Sequence, residues 1–345
     1  MTSSTGRPKW GVREATTADI PAMNSLFAEV FGGGRPLAHD QWKYGENPFG
    51  APVVVIAEDG NRVIGQYAIW PTPLRLGNSI YWGAQSLDTM THPDYQGQGM
   101  FTALASACYE AAAKQEIVAV YGFPNENSYP GFMRRLNFHH AFDVHGWTRL
   151  LLPAAHPRIP RLVAPVASLA VRLFPLPRDA ALRFEPLWPE EAATEALLDE
   201  WRASPGLCRV ERSSAWWRYR FGAASGRKYQ CVAAWRGTSL VALAIWGADP
   251  LSNYPRGLLA ELVFADQAAA RGVVAAAARA ARGAGCAVLN TVSNDPAVVG
   301  VLRSCGFIRL RPVPFIIRQL TARTVGANVH APDAWRILGA DLDTF

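Results

Sequence analysis

Residues 87–107 read LDTMTHPDYQGQGMFTALASA and form the most informative stretch of this 345-residue chain. A strand-like run is followed by a turn with Pro93 and by a loop that contains Gly97 and Gly99. A helix is predicted after the loop, because small and apolar residues recur at helical spacing over 104–111. A helix N-terminus offers unpaired backbone N–H groups and the positive end of the helix dipole, and glycines let the backbone approach a ligand closely. The loop therefore predicts a cradle for a phosphate group.

The residues QGQGM at 96–100, directly after HPDY, resemble the Q/R-x-x-G-x-G/A signature of the GCN5-related N-acetyltransferase (GNAT) superfamily. The resemblance implies an enzyme, an acyl-CoA-dependent N-acyltransferase, with acetyl-CoA or another acyl-CoA as co-substrate. The loop amides would hold the CoA pyrophosphate. It implies the following CoA-binding residues: Gln96, Gly97, Gln98, Gly99, Met100 and Phe101 in the cradle, Thr89 and Met90 beside the pantetheine arm, and Asn125 and Asn127 as ligands to the pantetheine amide or to a bridging water. Phe101 departs from the signature, which ends in a small residue.

Acyl transfer to an amine needs a deprotonated amine, a polarised thioester carbonyl and often an acid that protonates the departing thiolate. The family often has a carboxylate base or a water relay where this chain has Asp88, and Glu126 in PNENSY is the second candidate. A solvated acid at a strand end and an asparagine-rich capping turn explain these residues equally well. The position before Phe138 at which the family usually carries a tyrosine acid holds Met133. Tyr129 is the substitute candidate for the acid, with a packing role as its alternative.

A weak internal repeat sets the predicted domain organisation. WKY before VVVIAEDG in the first half matches WRY before CVAAWRG in the second, and the endings RRLNF and RSCGF follow in the same order. Each half is predicted to hold an early helix, a hairpin, a strand, a helix, a strand and a final helix, with the hairpins turning at 58–60 and 236–237.

The repeat predicts an α/β fold (α+β mixed sheet) of two tandem GNAT-like domains, each with a central twisted mixed sheet flanked by helices. The predicted divisions are 1–150 for an acyl-CoA-binding N-terminal GNAT domain, 151–189 for a Pro/Arg-rich linker with a short helix, 190–320 for a degenerate GNAT-like domain that serves as acceptor lobe, and 321–345 for a C-terminal strap.

The second half has only Arg271-Gly272 at the place of the phosphate loop. Without the double glycine the backbone cannot approach a phosphate closely, so we expect this half to bind no CoA and to shape the acceptor cleft. Tandem members of the superfamily include enzymes that acylate amino sugars. The resemblance therefore implies N-acylation of a small primary amine, such as a free or nucleotide-linked amino sugar, by direct attack in a ternary complex.

The composition, with 50% hydrophobic and 18% charged residues, is that of a folded protein. The apolar runs fall short of the ~20 residues of a spanning helix, and the polar start has no signal-peptide core, so we expect a cytoplasmic protein. Five widely spaced cysteines without a CxxC pair predict free, mostly buried thiols. The seven histidines lack the spacing of metal ligands, so no metal site is expected.

The net charge of +6 suits nucleic acid, an anionic membrane surface or a polyanionic cofactor, and charge alone does not choose among them. We expect neither a nucleic-acid nor a membrane partner, but three alternatives stay open. A tRNA-dependent aminoacyl transferase draws on the basic charge, and a non-catalytic acyl-CoA sensor or scaffold draws on Met133 in place of the tyrosine. The arginine-flanked linker is compatible with an amphipathic helix at a membrane surface.

Overall fold

The structure of the chain is a computed structural model. It describes residues 10–45, 47–173, 176, 180–186, 188, 191–202, 207–250, 252–321 and 325–344. Parts of the predicted linker 151–189 and strap 321–345 therefore lie outside the described residues.

The first half follows the predicted order of helices and strands, with a short strand before the early helix, a second early helix before the hairpin and a further strand at the end. Its elements are β1 (Gly11–Glu14), α1 (Ile20–Phe31), α2 (Leu37–Tyr44), β2 (Val53–Asp59), β3 (Arg62–Leu76), β4 (Ser79–Thr91), α3 (Met100–Lys114), β5 (Ala119–Gly122), α4 (Tyr129–Arg135) and β6 (His139–Leu150). The predicted hairpin at 58–60 is confirmed by the β2–β3 pairing. The predicted helix after Gly99 is confirmed as α3, whose buried side chains include Leu104, Cys108 and Ala111.

The second half repeats this order after a short helix, α5 (Ala164–Leu173), which lies in the predicted linker. Its elements are β7 (Arg183–Glu185), α6 (Glu191–Arg202), β8 (Cys208–Val210), α7 (Ser214–Phe221), β9 (Tyr229–Arg236), β10 (Ser239–Ala248), β11 (Arg256–Phe264), α8 (Gln267–Gly283), β12 (Val288–Val292), α9 (Pro296–Ser304) and β13 (Ile308–Gln319). The predicted hairpin at 236–237 is confirmed by the β9–β10 pairing.

The strands form one mixed sheet that runs through both halves, which confirms the predicted α/β class. Its order is β1-β2-β3-β4-β5-β13-β6-β12-β11-β10-β9-β7, and β8 pairs with β3. The pairs β4–β5 and β11–β12 are parallel. Each half thus contributes a hairpin, a third strand and a parallel fourth strand at its own end of the sheet.

The two halves exchange their last strands in the middle of the sheet. Strand β13 of the second half lies between β5 and β6, and β6 of the first half lies between β13 and β12. The repeat did not predict this exchange, because the matched patterns end at Phe138 and Phe307, before either strand begins. The exchange makes each half depend on the other for a neighbouring strand.

Strand β13 carries Pro312 and Pro314, which are unusual inside a sheet because proline cannot donate a ladder hydrogen bond. Both prolines lie in the part of β13 that pairs with β6, whereas the described pairs with β5 begin only at Ile316. The prolines therefore occupy a stretch with a strand on one side. This geometry explains how β13 tolerates them in a central position.

The C-terminal strap, residues 325–344 in the described chain, packs on the region shared by both halves. Trp335 is fully buried, and its ring lies 5.0 Å from that of Phe315 in β13. Two aspartates further along reach one half each. The Asp341 carboxylate lies 2.7 Å from the Arg212 guanidinium, and the Asp343 carboxylate lies 3.1 Å from the Lys43 ammonium.

The cysteines match their sequence expectation, since all five thiols are free and buried. In the described parts of the chain no helix is long and apolar enough to cross a bilayer. The same residues contain no group of three or more His, Cys, Asp or Glu side chains placed to hold a metal ion.

The shared strands predict that the two halves unfold together. Leu104→Ala in α3 and Leu302→Ala in α9 remove matched buried side chains, 1% and 0% exposed, from opposite halves. Each should cost about 2–5 kcal/mol. In scanning calorimetry each variant should lower the midpoint of one transition in which calorimetric and van't Hoff enthalpies agree. Two separate transitions, each moved by only one of the substitutions, would contradict the exchange.

Candidate functional site

The loop that was predicted as a phosphate cradle connects β4 to α3 over residues 92–99. Side chains from the surrounding elements hold it at two points. The Tyr95 hydroxyl donates a hydrogen bond to the Asp59 carboxylate at the β2–β3 turn over 2.7 Å. The Trp10 indole N–H donates to the side-chain oxygen of Gln98 over 3.2 Å. The loop is thus fastened to the first half before α3 begins.

Gly97 and Gly99 give the loop its shape. Their φ angles are +77° and +81°, a backbone conformation that residues with a side chain rarely adopt, and nothing lies within 4 Å of a Cβ built on either one. Gly99 caps α3 without any side-chain hydrogen bond. The five successive N–H groups from Gly97 to Phe101 have no hydrogen-bond acceptor among the described residues. Open backbone donors at a helix N-terminus form a site that fits a pyrophosphate.

Phe101, the departure from the signature, turns its ring toward α4 and packs there. A Cβ built on Gly131 would lie 2.9 Å from the Phe101 ring, so the missing side chain of Gly131 leaves the room that this ring uses. The ring also makes an edge contact with Phe132 at a centroid distance of 5.4 Å. The bulk of Phe101 is therefore accommodated by α4, and its N–H remains available with the others.

The pairing between strands β4 and β5 ends before β4 reaches this loop. Their parallel pairing covers only Gly83–Gln85 against Ala119–Tyr121, although β4 continues to Thr91. No described ladder pair joins the rest of β4 to β5, so that edge is free. Thr89 and Met90 lie on this part of β4, with the Thr89 side chain half-buried and Met90 buried beneath α1 and α2. A free strand edge next to an anion cradle fits an extended arm with amide groups.

Asp88 lies at an irregularity of β4, where the register with β3 shifts, and has a φ of +44°. Its carboxylate is surrounded by donors from α2 and the segment before it. Arg35 lies 2.7 Å from it and Lys43 lies 3.0 Å from it, and the Tyr44 hydroxyl donates a short hydrogen bond to it. The Asp88 side chain is only 8% exposed. It is therefore a buried, fully paired carboxylate and not a solvated acid.

The electrostatics of this group follow from these contacts. Burial by itself would raise the pKa of Asp88, but the charges of Lys43 and Arg35 and the hydrogen bonds from Arg35 and Tyr44 outweigh it and hold the pKa well below its ordinary value. A carboxylate with so low a proton affinity is a poor general base near neutral pH. Sequence reasoning missed the partners Arg35 and Lys43, although Lys43 lies in the WKY motif that marked the repeat.

The asparagine-rich turn after β5 has the geometry of a cap. The Asn125 side-chain oxygen accepts hydrogen bonds from the backbone N–H groups of Asn127 and Ser128, each over 3.0 Å, directly before α4. Glu126 and Asn127 are exposed. Within the described chain no hydrogen bond or ion pair joins Glu126 to Asp88 or to Tyr129. The cap thus accounts for Asn125, and the Glu126 carboxylate has no hydrogen bond or ion pair within the described residues.

Tyr129 is the first residue of α4 and is part of a polar chain that sequence reasoning missed. Its hydroxyl lies 2.9 Å from Nδ1 of His140 in β6, and Nε2 of His140 lies 3.5 Å from the Asp143 carboxylate. A phenol that is hydrogen-bonded to an imidazole with a carboxylate behind it can give up a proton and recover it. The sequence HHAFD at 139–143 contains both His140 and Asp143, but only the pairing of β6 with β13 shows that the His140 side chain lies beside Tyr129.

The second half lacks the cradle at the corresponding place. Only Ala265 and Asp266 separate β11 from α8, and the Asp266 carboxylate accepts the N–H of Ala269 over 2.8 Å at the helix N-terminus. The predicted correspondence of Arg271-Gly272 with the loop is wrong, because both residues lie inside α8. A Cβ on Gly272 would come within 3.0 Å of Leu182 and Phe184, so this glycine serves close packing.

Comparisons with known proteins agree with this geometry. Residues 11–141 match the family described as acetyltransferase (GNAT) domain. No curated protein matches the chain in sequence.

Among solved structures, a probable N-acyltransferase from Enterococcus faecalis has 12% identity and a TM-score of 0.64, over 90% of this chain and 73% of that one. A tandem GNAT protein from the clavulanic acid biosynthesis pathway has 14% identity and a TM-score of 0.63, over 91% and 100%. A GCN5-related glucosamine N-acetyltransferase region of a fungal multi-domain β-N-acetylglucosaminidase has 14% identity and a TM-score of 0.60, over 91% and 38%.

At these identities the structural neighbours show a shared fold, and the family match over the first half shows which fold it is. The predicted resemblance is thereby confirmed. Residues 11–141 of this chain therefore form a GNAT domain, which supports an acyltransferase activity, and the whole chain shares its fold with solved GNAT proteins that include a tandem one.

Proposed function

We propose that this acyltransferase moves an acetyl or longer acyl group from acyl-CoA to the primary amine of a small molecule by direct attack within a ternary complex. The observation that carries the proposal is the row of five unpaired N–H groups from Gly97 to Phe101 at the start of α3. These donors would hold the pyrophosphate of CoA. Gln96 and the side chain of Gln98, fastened to Trp10, would flank it.

The remaining donor contacts follow from the free edge of β4. Thr89 and Met90 would pair with the pantetheine arm through their backbone groups, because β5 leaves that edge open after Gln85. Asn127, exposed in the capping turn, would reach the pantetheine amide or a bridging water, and Asn125 would hold the turn in place. These contacts orient the thioester, which is the main contribution of binding to the reaction.

The chemical step needs one base and one acid. The amine nitrogen attacks the thioester carbonyl, the carbon–sulfur bond breaks, and the amine proton passes to Glu126 or to water held by it. The Tyr129 phenol gives its proton to the departing thiolate, and His140, with Asp143 behind it, stabilises the resulting phenolate. For Asp88, the other carboxylate predicted as a base, the ion pairs with Arg35 and Lys43 favour a positioning role at the bend of β4.

The acceptor is proposed to be a small amine such as an amino sugar. The structural neighbour described as a glucosamine N-acetyltransferase region supports this class of acceptor. Residues 190–320, proposed as the acceptor lobe, reach the first half through Tyr219, whose ring lies 5.3 Å from that of Trp42. We propose that the junction of the two halves, beside the free edge of β4, receives the acceptor.

Replacement of Gly99 tests the cradle. Gly99→Asp forces a side chain onto a positive φ and places a carboxylate at the phosphate position, so the Kd for CoA should rise at least about 100-fold in calorimetric titration, or about 2.7 kcal/mol. Gly237→Asp is the matched control, because Gly237 also has a positive φ, +62°, with open space around it, but lies in the β9–β10 turn. Full CoA affinity in Gly99→Asp would refute the assigned cradle.

Removal of the Tyr129 hydroxyl tests the acid. The unaltered protein should release CoA from acetyl-CoA with glucosamine or another amine of a panel, and Tyr129→Phe should lower kcat by about 100-fold or more with little change in the KM for acetyl-CoA. Tyr81→Phe, which removes a hydrogen bond to Gly326 at the far end of β4, is the control and should leave kcat unchanged. An unchanged kcat in Tyr129→Phe would exclude this residue as the acid. If none of the amines in the panel produced CoA release, the result would instead support a non-catalytic acyl-CoA-binding role.

The positioning role of Asp88 is tested by stability as a function of pH. Asp88→Asn leaves two buried cations with less compensation and should cost about 3 kcal/mol of unfolding free energy at pH 7. Because the folded-state pKa is lowered, this contribution is present above the unfolded pKa of about 3.9 and is lost as the pH falls toward the folded pKa. The difference between the two proteins should therefore narrow below about pH 4, by up to about 1.4 kcal/mol per pH unit.

Denaturant titrations between pH 7 and 3 measure this difference. Asp94→Asn, in which the side chain is 80% exposed, is the matched control and should change stability by less than about 0.5 kcal/mol. A gap between Asp88→Asn and the unaltered protein that stays constant down to pH 3 would contradict the ion-pair account of Asp88.

A further inference from the structure

The second half contains a cavity of about 530 Å³ that the proposed acyl-transfer site does not use. It lies between α6, α7 and the start of β9, and all of its lining residues fall between Trp188 and Tyr229. Its volume is within the usual range of small-molecule sites, about 300–1,000 Å³. The phosphate loop and the free edge of β4 contribute nothing to it.

Aromatic rings form the walls of this cavity. Trp217 and Phe221 are buried in α7, and the Trp188 ring stacks on Phe221 at a centroid distance of 6.5 Å and an angle of 29°. The Tyr229 ring meets Phe221 edge-on at 4.9 Å. Trp188 is 45% exposed, so a large apolar ring borders an open space. Flat aromatic surfaces around a cavity favour a ligand with a planar ring.

The charged groups at the cavity are mostly cationic. Arg218 is paired with the one lining carboxylate, Glu191, over 3.1 Å. Arg227 donates a single hydrogen bond to the carbonyl of Thr344 over 2.9 Å, and Lys228 has no acidic partner among the described residues. Two positive charges are thus available to a ligand. They would repel an ammonium group, which separates this cavity from the proposed amine acceptor.

We propose that this cavity binds a small anionic aromatic molecule, with its ring between Trp188 and Trp217 and its negative charge on Arg227 and Lys228. The helix α7 joins the cavity to the first half. On its other face the Tyr219 hydroxyl accepts a hydrogen bond from the Trp70 indole over 3.0 Å. A ligand in the cavity would therefore contact the same helix, α7, that contacts the first half.

A pair of fluorescent probes tests the proposal on the full chain. The anionic probe is 8-anilinonaphthalene-1-sulfonate, and the neutral one is N-phenyl-1-naphthylamine, which has the same rings without the sulfonate. One anionic probe should bind per chain. Ala223→Trp should fill the cavity and weaken binding by about tenfold or more, whereas Ala224→Trp, the exposed neighbour outside the lining, should not.

The charge reversal Lys228→Glu tests the contribution of the ligand's negative charge separately from that of its ring. Lys228 is exposed, so the substitution leaves the buried core unchanged. It should weaken the anionic probe by about tenfold and change the neutral probe by less than about twofold. Equal binding by Ala223→Trp and the unaltered protein, or an equal loss of both probes in Lys228→Glu, would overturn the proposal. Displacement of the probe by CoA would also overturn it, because the cavity would then belong to the donor site. CoA affinity itself should stay unchanged in both variants, so failure here is distinguishable from failure of the cradle.

Discussion

The antiparallel pairing of β6 with β13 is the interaction on which the rest of the structure depends. It joins two similar halves into one sheet. Strand β13 of the second half lies next to β5 of the first, and strand β6 of the first half lies next to β12 of the second. The pairing also fixes the candidate site. His140 lies opposite Ile316 in this ladder, and the ladder thereby holds the imidazole beside Tyr129 at the start of α4. The same ladder leaves β4 and β5 free to diverge next to the phosphate loop.

Each half also contains a buried carboxylate that is paired with cationic side chains. Asp88 in β4 is paired with Arg35 and Lys43, and Glu261 in β11 lies 2.5 Å from Arg212 and accepts the Trp217 indole N–H. Buried charges cost free energy unless they are paired and hydrogen-bonded, so each network specifies one arrangement of its half. The strap adds Asp343 to the first network and Asp341 to the second. One short segment therefore completes both networks, which ties the bend of β4 to the position of the second half.

Local patterns in the sequence were sufficient for the loop, α3 and both hairpins, because glycines with positive φ, helical spacing and turn residues act over a few positions. They were insufficient where the partner is distant in the chain. Asp88 and Arg35 are 53 positions apart in the chain, and no spacing rule connects residues at that distance. The sequence therefore left open a solvated acid where the structure has a buried ion pair. Strand β13 was missed because the repeat that guided the prediction ends at Phe307, before this strand begins, and only the sheet shows how β13 accommodates Pro312 and Pro314 next to a single neighbouring strand. Gly272 was misassigned because the sequence alone does not distinguish a glycine required for close helix packing from a glycine required in a loop.

We propose that the loop before α3, and not its counterpart before α8, holds the acyl-CoA donor. A crystal structure of the protein with CoA tests this claim most directly. We expect one CoA per chain, with pyrophosphate oxygens about 3 Å from the N–H groups of residues 97–101 and the pantetheine arm along the free edge of β4. A CoA bound at the N-terminus of α8, or a pyrophosphate held away from Gly97 and Gly99, would contradict it.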